Sequence, residues 1–311
     1  MAHPNQIALI VHGGAGAWRP GSDNDAIAGT TAAVAAGRKV LTAGGSALDA
    51  ACAAAVALED NPIFNAGTGA VLNFDGYCEL DACVMLSDRA QTGAVAAMQR
   101  VKNPILVARK VMEETDHVML AGDGAQRFAR IMGFADHDPV TAARREDWQD
   151  KRARIDETLG KSALKTSRFL KQHPEYAGGT IGVVALDRNG VLCAATSTGG
   201  MTLKMAGRVG DTPLPGAGNY ASPFAAASAT GTGEFVIRGL GTRQISDHVR
   251  AGMSIAAAID AVLDELVRDF EADVGFIGID ATGAVAAGHR TLHMPHAFFS
   301  GDSPILARMA R

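Results

Sequence analysis

The sequence predicts an α+β fold, in which antiparallel sheets carry helices on their outer faces. Strand-like and helix-like segments follow one another in blocks along the 311 residues, and they do not alternate strictly. Hydrophobic residues make up 47% of the chain, enough for a sizeable buried core in one large domain or two small ones. Alanine and glycine are abundant and aromatic residues are scarce, which favours the closely packed layers and tight turns typical of globular enzymes.

The first half of the chain is predicted to begin with a buried strand, residues 6–11, that ends in a glycine-rich loop. Two alanine-rich helices follow, and Ser46 and Asp49 form the pattern of a capping box at the start of the second. Pro104 suits the first position of a later helix. The predicted elements are helices 24–42 and 46–59, strands 70–74, 79–86 and 93–98, helix 104–114, strand 117–120 and a helix from about residue 123.

The composition changes at residue 144, where a segment dense in charged residues begins and continues to residue 175. We expect either an exposed linker, partly helical or disordered, or the solvated face of a helix. Further on, Asn189-Gly190 is a strong hairpin turn between two strands. The predicted elements after the charged segment are strands 181–187, 191–197 and 224–230, helices 234–250 and 254–269, and strands 274–280 and 284–288.

Charge and targeting signals narrow the class of protein. The net charge of −4 gives no indication of a nucleic-acid partner. No stretch approaches the length of a membrane span, and no basic region precedes an apolar run at the N-terminus, so we expect a cytoplasmic protein with no membrane partner. The cysteines form no C-x-x-C pair, which favours buried free thiols over a zinc site; they are Cys52, Cys78, Cys83 and Cys193.

The most informative point of the sequence is the dipeptide Gly179–Thr180, which precedes a clean strand pattern at 181–187. If the peptide bond between the two residues breaks, Thr180 gains a free α-amine beside its own hydroxyl, so that one residue holds a nucleophile and a general base. Small residues before a strand are common, and this feature alone is weak. The sequence has no G-x-S-x-G elbow, which excludes the serine arrangement of α/β-hydrolases.

Arg208 and Asp211 lie in a loop rich in glycine and proline, with no helical or strand periodicity and no evident partner for the arginine. They form either a surface ion pair or a recognition pair, in which Arg208 binds a carboxylate bidentately and Asp211 accepts from an ammonium group. A recognition pair would bind the two charges of an amino-acid backbone. The segment 230–234 (TGTGE) carries hydroxyl and N–H groups that suit an oxyanion hole.

The loop that begins at His12 also has two interpretations. Its backbone N–H groups can cradle a phosphate, but it lacks the Lys-Ser/Thr ending of a P-loop and the spacing of a dinucleotide fingerprint. A tight turn that brings two backbones close together is favoured. His12 itself can be a ligand or a base, and a hydrogen-bonded core histidine is the favoured alternative.

Several short motifs follow one another in a specific order and spacing. They are HGGAGA at 12–17, LEDNP at 58–62 continuing to FNAG at 64–67, ELDA at 79–82, GT at 179–180, ATSTGG at 195–200, GRVGD at 207–211 and TGTGE at 230–234. Each motif is weak alone. Together they resemble the plant-type (type 2) asparaginase/isoaspartyl peptidase family of N-terminal nucleophile hydrolases, and the resemblance covers essentially the whole chain.

The resemblance implies a role for each matching residue. Thr180 resembles the nucleophile freed by autocleavage after Gly179, and Thr198 resembles the hydroxyl partner that orients it and helps to tune its amine. Arg208 and Asp211 resemble the anchors for the α-carboxylate and α-ammonium of the substrate. The other implied site residues are Thr230 and Gly231 as oxyanion-hole donors, Gly233 as a backbone contact to the substrate, and Asn65 as a positioning group near the nucleophile.

The resemblance also implies a structural sodium ion, and it implies no cofactor for catalysis. Oxygen-only coordination by backbone carbonyls suits a hard cation. The implied ligands are the main-chain carbonyls of Leu58, Glu59, Asn61, Phe64, Ala66 and Thr68.

The implied fold is a four-layer αββα sandwich, with two stacked antiparallel sheets between helix layers. The resemblance implies that the chain is a single domain, autocleaved into residues 1–179 and 180–311. It also implies that two processed protomers form a homodimer. The implied substrates are L-asparagine and β-aspartyl dipeptides. The linker ends in EYAG at 175–178, unlike many relatives, which leaves the rate of autocleavage open.

Two alternatives stay open. A glycosylasparaginase-like amidase would share the fold and the nucleophile, but such enzymes are typically secreted and disulfide-bonded, and this chain shows neither signal. A non-catalytic glycine-rich protein that binds nucleotides is the second alternative.

Overall fold

The computed structural model describes residues 6–159 and 179–310. Within these ranges the helices are α1 Asp23–Thr42, α2 Ala47–Glu59, α3 Pro104–Glu114, α4 Gly122–Ile131, α5 Ala142–Leu159, α6 Gly233–Gly239, α7 Gly241–Arg250 and α8 Ile255–Phe270. The strands are β1 Ala8–His12, β2 Leu80–Leu86, β3 Thr92–Met98, β4 Met119–Ala121, β5 Ile181–Leu186, β6 Leu192–Thr198, β7 Asn219–Ala221, β8 Ala225–Gly231, β9 Val274–Asp280, β10 Val285–His289, β11 Met294–Ser300 and β12 Leu306–Ala310. None of these helices is long and apolar enough to span a bilayer.

The described strands form a large sheet, in the order β12-β11-β1-β5-β6-β2-β3-β4, and a small sheet, in the order β10-β9-β8-β7. In the large sheet β1 lies between β11 and β5, so that Ile10 is opposite Phe298 on one side and Val184 on the other. β5 and β6 are antiparallel neighbours. The start of β5 and the end of β6 therefore lie at the same end of the sheet, where Gly179 and Thr180 enter.

The two sheets pack face to face and carry helices on their outer faces. Between the sheets lies an apolar cluster with members from both, including Ile10, Val184 and Ile277. Helices α1, α2 and α3 cover the other face of the large sheet. The arrangement of two sheets flanked by helices agrees with the predicted α+β class. The small sheet is covered by the apolar stripe of α8, which has the spacing of an amphipathic helix: Ile255, Ala258, Ile259, Val262, Leu263 and Leu266.

Local sequence signals are confirmed where nearby residues fix the backbone. Ser46 Oγ accepts the Asp49 N–H at 3.1 Å and caps α2, as the capping-box pattern predicts. Pro104 is the first residue of α3. The hairpin at 189–190 joins β5 to β6 as predicted. The four cysteines are buried free thiols, and burial raises the pKa of Cys52 to about 12, so that this thiol stays protonated.

Some predicted elements are wrong. Residues 70–74 form a loop and not a strand, because their backbone N–H groups bond to scattered acceptors in loops and not to a neighbouring strand. The Val71 N–H donates to Asn65 Oδ1 at 2.8 Å, and the Phe74 N–H donates to the Lys204 carbonyl at 2.8 Å. β4 runs parallel to β3, against the expectation of purely antiparallel sheets, because the helix α3 crosses over between them. The helix predicted at 234–250 is interrupted at Leu240, whose φ is +50°. β7, β11 and β12 are not predicted from the sequence, since polar residues interrupt their apolar patterns.

The first part of the charged segment is a docked helix. In α5, the Trp148 Nε1–H donates to the Asn73 carbonyl at 2.8 Å, and the Arg144 Nε–H donates to the Gly69 carbonyl at 2.6 Å. Lys151 on the same helix is only 6% exposed. This part of the predicted 144–175 linker is therefore not an exposed linker, because its polar side chains find acceptors on the body of the protein. Residues 160–175 of that prediction lie outside the described residues.

Candidate active site

Thr180 lies directly before β5, and its side chain is buried, with the residue 7% exposed. Its hydroxyl donates to the Thr198 hydroxyl at 3.2 Å. Thr198 is the last residue of β6, and the antiparallel register pairs Ile181 with Ser197. The two threonines implied by the family motifs are therefore brought together by the pairing of two adjacent strands.

The Thr198 hydroxyl is held in turn by the loop that follows it. The Gly200 N–H donates to Thr198 Oγ1 at 3.0 Å, and Asn65 Nδ2 donates to the Gly200 carbonyl at 2.7 Å. Asn65 Oδ1 accepts the Val71 N–H, so the amide group is fixed on both sides. In the described contacts Asn65 is linked to Thr180 only indirectly, through the turn that holds Thr198.

The glycine-rich loop after β1 touches both Gly179 and Thr230. Gly14 has a φ of +114°, and a Cβ on it would lie 2.6 Å from the Gly179 Cα, so only glycine fits this close approach. The Ala15 N–H donates to Thr230 Oγ1 at 2.9 Å. Because the Thr230 oxygen accepts this bond, its own O–H proton is directed elsewhere and can be donated to another group. The loop is thus the tight turn that the sequence favours, and it joins two implied site residues.

His12, at the end of β1, is a core histidine. It is fully buried, and its Nε2 lies 3.2 Å from Ser228 Oγ. Burial lowers the pKa of His12 to about 3, although the nearby backbone of Thr180 opposes this shift. The imidazole is therefore neutral at physiological pH, which confirms the favoured interpretation of this residue.

Arg208 does not pair with Asp211. Its Nε and Nη2 donate to the two carboxylate oxygens of Glu234 at 2.9 and 2.7 Å. The arginine is thus neither unpartnered nor part of a surface ion pair with Asp211, and both of those expectations are wrong. Because the guanidinium has five N–H donors and Glu234 occupies two of them, donors remain for a second carboxylate.

Asp211 is a buried carboxyl with spare acceptor capacity. It is 5% exposed, and its Oδ2 has no hydrogen-bond partner among the described residues. Burial raises the pKa of Asp211 to about 7, and the nearby Arg208 opposes that rise. An unpartnered buried carboxylate is costly, so a cation that reached this oxygen would be strongly favoured.

Gly233 lies close to both Arg208 and Asp211. A Cβ on Gly233 would lie 2.6 Å from Asp211 Oδ1 and 3.1 Å from Arg208 Nη2, so the start of α6 can approach the pair only as glycine. Gly231, two residues earlier, ends β8 directly after Thr230. The sequence-predicted residues therefore form two groups, one around Thr180 and one around Asp211.

The two groups are connected through Asp81. In the β2–β6 pairing Asp81 lies opposite Thr198, and its Oδ2 is 3.5 Å from the Gly210 N–H, next to Asp211.

A cavity of about 100 Å³ opens beside Gly179. Arg208 and Asp211 lie outside its lining, which includes Ala15, Trp18, Asn65, Arg144, Gly179 and Thr202.

The sequence profile of a protein family described as asparaginase matches residues 5–305. The chain belongs to the asparaginase family. It is 48% identical to a plant-type L-asparaginase of Pyrococcus abyssi, over 94% of this chain and 96% of that protein. It is 41% identical to an isoaspartyl peptidase of Escherichia coli, over 96% of this chain and 95% of that protein. An isoaspartyl peptidase/L-asparaginase of Rattus norvegicus is 40% identical, over 94% of this chain and 85% of that protein. The family resemblance of the motifs is confirmed.

The loop that the family resemblance implies as a sodium site contains oxygen atoms whose hydrogen-bond acceptor capacity is not fully used. The carbonyls of Ala66 and Thr68 accept no hydrogen bond from the described residues, and the Thr68 hydroxyl is buried without a partner among them. The carbonyls of Leu58, Glu59 and Asn61 each accept one backbone N–H, which leaves each a second lone pair. The Phe64 carbonyl lies 3.5 Å from Arg144 Nη2.

The Glu59 side chain adds little charge to this loop. Burial raises the pKa of its carboxyl to about 8, opposed by hydrogen bonds to Ser197 Oγ at 2.7 Å and the Ile105 N–H at 3.1 Å. The loop therefore offers mostly neutral oxygen donors near pH 7. Such a set fits a monovalent hard cation better than a divalent one.

Sequence reasoning assigns no role to Glu234, to the Ala15 N–H or to Glu79, three groups that contact the candidate site or the loop that carries Arg208. Glu79 and Glu234 belong to the motifs that carry the family resemblance. A signal for Glu79 exists in the sequence, because Glu79 and Asp81 alternate with an apolar residue at the start of a buried strand.

Proposed function

We propose that the chain hydrolyses L-asparagine and β-aspartyl dipeptides with Thr180 as an N-terminal nucleophile, in the αββα sandwich of N-terminal nucleophile hydrolases. The observation that carries the proposal is the buried Thr180 hydroxyl, 3.2 Å from Thr198 and directly after Gly179. The names of the relatives support the same substrates.

The nucleophile is generated by cleavage of the chain's own Gly179–Thr180 bond. The Thr180 oxygen attacks the Gly179 carbonyl carbon, the C–N bond breaks, and the Thr180 nitrogen takes the hydroxyl proton and becomes a free amine. Water then hydrolyses the resulting ester, which gives residues 1–179 and 180–311. The tight contact between Gly14 and Gly179 supports a fixed position for the scissile bond.

The processed enzyme repeats this attack on a substrate. The Thr180 α-amine, with a reference pKa near 8, takes the proton of the Thr180 hydroxyl as the oxygen attacks the β-carbonyl carbon. The Thr230 hydroxyl and the Gly231 N–H donate to the oxyanion. The protonated α-amine of Thr180 then gives its proton to the leaving amine of the substrate. Water releases aspartate from the acyl-enzyme ester and restores Thr180.

Substrate recognition belongs to the second group of residues. Arg208 binds the α-carboxylate, Asp211 accepts from the α-ammonium, and the backbone at Gly233 lies against both. The unpartnered Asp211 oxygen supports this assignment, since an ammonium group supplies the missing donors. Neither Arg208 nor Asp211 binds the leaving group on the β-carbonyl. Ammonia and the amine of a second amino acid are therefore both accepted as leaving groups.

A side-by-side assay of four substrates tests the proposed function. The purified enzyme should hydrolyse L-asparagine and β-aspartyl dipeptides and should leave N-glycosylated asparagine nearly untouched. α-Linked aspartyl dipeptides should also be rejected, because they present the wrong carbonyl to Thr180. Preference for the glycosylated compound would favour the glycosylasparaginase-like alternative, and activity on none of the four, with tight nucleotide binding, would favour the binding-protein alternative.

The pH dependence of activity tests Asp211. For L-asparagine, kcat/KM should rise as the pH increases through about 7, because burial raises the pKa of Asp211 and only its ionised form pairs with the α-ammonium. Succinamate has the carboxylate and the amide but no ammonium group, and it should lose this limb of the profile. An identical limb with both compounds would assign it to the Thr180 amine and would contradict the role of Asp211.

The cation loop is the next part of the proposal. Activity and thermal stability should both fall when Na⁺ and K⁺ are replaced by tetramethylammonium at equal ionic strength, because the ion fixes the loop that contains Asn65. Adding Na⁺ back should restore the Tm in a saturable way. Unchanged activity together with an unchanged Tm would remove the ion from the proposal.

The proposal also includes a homodimer of processed protomers, which rests on the family resemblance, and the cytoplasmic location expected from the sequence.

A further inference from the structure

Two buried carboxyl groups face the loop that carries Arg208. Glu79, directly before β2, is 4% exposed, and Asp81 within β2 is fully buried. Glu79 Oε1 accepts the Gly207 N–H at 2.9 Å, and Asp81 Oδ2 lies 3.5 Å from the Gly210 N–H. The two carboxyl groups therefore contact the backbone on both sides of Arg208.

The Glu79 carboxylate is itself fixed. Its second oxygen, Oε2, accepts from Asn73 Nδ2 at 3.1 Å. Asn73 Oδ1 in turn accepts the N–H groups of Asp75 and Tyr77 at 3.1 and 3.2 Å. Each oxygen of Glu79 thus has a protein partner, and the carboxylate is held in place from both sides.

A buried lysine balances the charge of these carboxyl groups. Lys204 is 4% exposed, and its Nζ donates to the Glu79 carbonyl at 3.0 Å. Burial lowers the pKa of Lys204, and the charge of Asp81 opposes that shift. The same lysine packs against Gly200, where a Cβ would lie 2.7 Å from Nζ. Lys204 thus lies between the turn that orients Thr198 and the loop that carries Arg208.

We propose that Glu79 is a positioning residue for substrate binding: it fixes the backbone at Gly207 and thereby holds Arg208 where it meets the substrate α-carboxylate. Gly207 has a φ of +80°. If its N–H had no acceptor, this glycine would be free to adopt other backbone conformations. The inference rests on the proposed role of Arg208. Glu79 itself touches no substrate, so its loss acts on affinity and not on the Thr180 chemistry.

The test compares Glu79→Ala, Glu79→Gln and a matched control, Asp187→Asn. Asp187 is also buried and also accepts backbone N–H groups, those of Ala47, Asn189 and Val191, but it lies at the opposite end of β5 from Thr180. Glu79→Ala should raise KM for L-asparagine about 10- to 100-fold, the loss expected for a hydrogen bond to a charged group. The kcat and the cleavage at Gly179–Thr180 should stay within about threefold of wild type, and Asp187→Asn should leave KM unchanged.

Two further measurements separate positioning from a general loss of structure. β-Alaninamide has the amine and the amide of asparagine but no α-carboxylate, and its turnover should be insensitive to Glu79→Ala. In an Arg208→Ala background, Glu79→Ala should add little to KM, because residues that act through one another are not additive. Glu79→Gln keeps an acceptor for Gly207, so its KM should return to within about fivefold of wild type, and this variant carries the test if Glu79→Ala does not fold.

Three results would overturn the role of Glu79 in an active enzyme. They are an unchanged KM in Glu79→Ala, equal losses with L-asparagine and β-alaninamide, and full additivity with Arg208→Ala. A wild-type protein that turns over neither L-asparagine nor β-aspartyl dipeptides would instead contradict the proposed function.

Discussion

Thr180→Ala should remain a single uncut chain without activity, whereas the wild-type protein should become fragments 1–179 and 180–311. The variant has no hydroxyl, so neither the Gly179 carbonyl nor a substrate carbonyl is attacked. Loss of a catalytic nucleophile lowers kcat by about 10⁴-fold or more. Intact mass and N-terminal sequencing measure the cleavage, and ammonia release from L-asparagine measures the activity.

Two further substitutions of Thr180 control for shape and for the hydroxyl. Thr180→Val preserves the branched shape that fits the buried site, and it should also stay uncut and inactive. Thr180→Ser keeps the hydroxyl within reach of Thr198 and should still cleave, more slowly. Cleavage at this bond in the valine or alanine variant would mean that another group breaks it, and the proposed mechanism would be wrong.

The sequence predicts best what neighbouring residues decide. The capping box at Ser46, the proline that begins α3 and the hairpin at 189–190 depend on groups a few residues apart, and all three are confirmed. The apolar stripe of α8 is similarly local. By contrast, the loop at 70–74 has the apolar pattern of a strand, but its N–H groups bond to acceptors in distant loops, such as Asn65 Oδ1 and the Lys204 carbonyl, which the local pattern does not reveal.

The candidate site could be assembled only in part from sequence. Order and spacing of the motifs imply Thr180, Thr198, Thr230 and Asp211, but no local pattern says which strands bring them together. The bidentate bond between Arg208 and Glu234 joins residues from two motifs. The contact of Glu79 with Gly207 joins residues that are 128 positions apart. Such contacts depend on sheet order, which the sequence pattern does not give.

The same limit applies to α5. Its charged sequence predicts a solvent-exposed segment, yet Arg144 and Trp148 bond to backbone carbonyls of the loop at 63–74. In both bonds the acceptor lies 75 positions earlier in the chain. A charge-rich helix can therefore be a packed element when irregular backbone elsewhere needs donors.

Arg208→Ala should weaken binding of L-asparagine by roughly 2–5 kcal/mol, which is about 30-fold to several thousand-fold in affinity. The substrate loses the partner of its α-carboxylate. It also loses part of its second anchor, because Arg208 favours the ionised form of the buried Asp211, and without it a larger fraction of Asp211 is protonated at neutral pH. The rising limb of the pH profile should therefore move to higher pH in this variant. KM and kcat across pH 6–9 measure both effects.

Processing should survive the loss of Arg208, because the Gly179–Thr180 bond brings no free α-carboxylate to the site. Glu234 is half-exposed, so water can replace the guanidinium, and the fold should tolerate the change. Arg208→Lys keeps the charge but not the bidentate geometry and should be intermediate. Arg268→Ala removes an exposed arginine that also pairs with a carboxylate, Asp269, and should leave KM unchanged. If a fully processed Arg208→Ala enzyme kept near-normal affinity, the α-carboxylate would have to be bound by a different group, and Arg208 would serve only to hold Glu234.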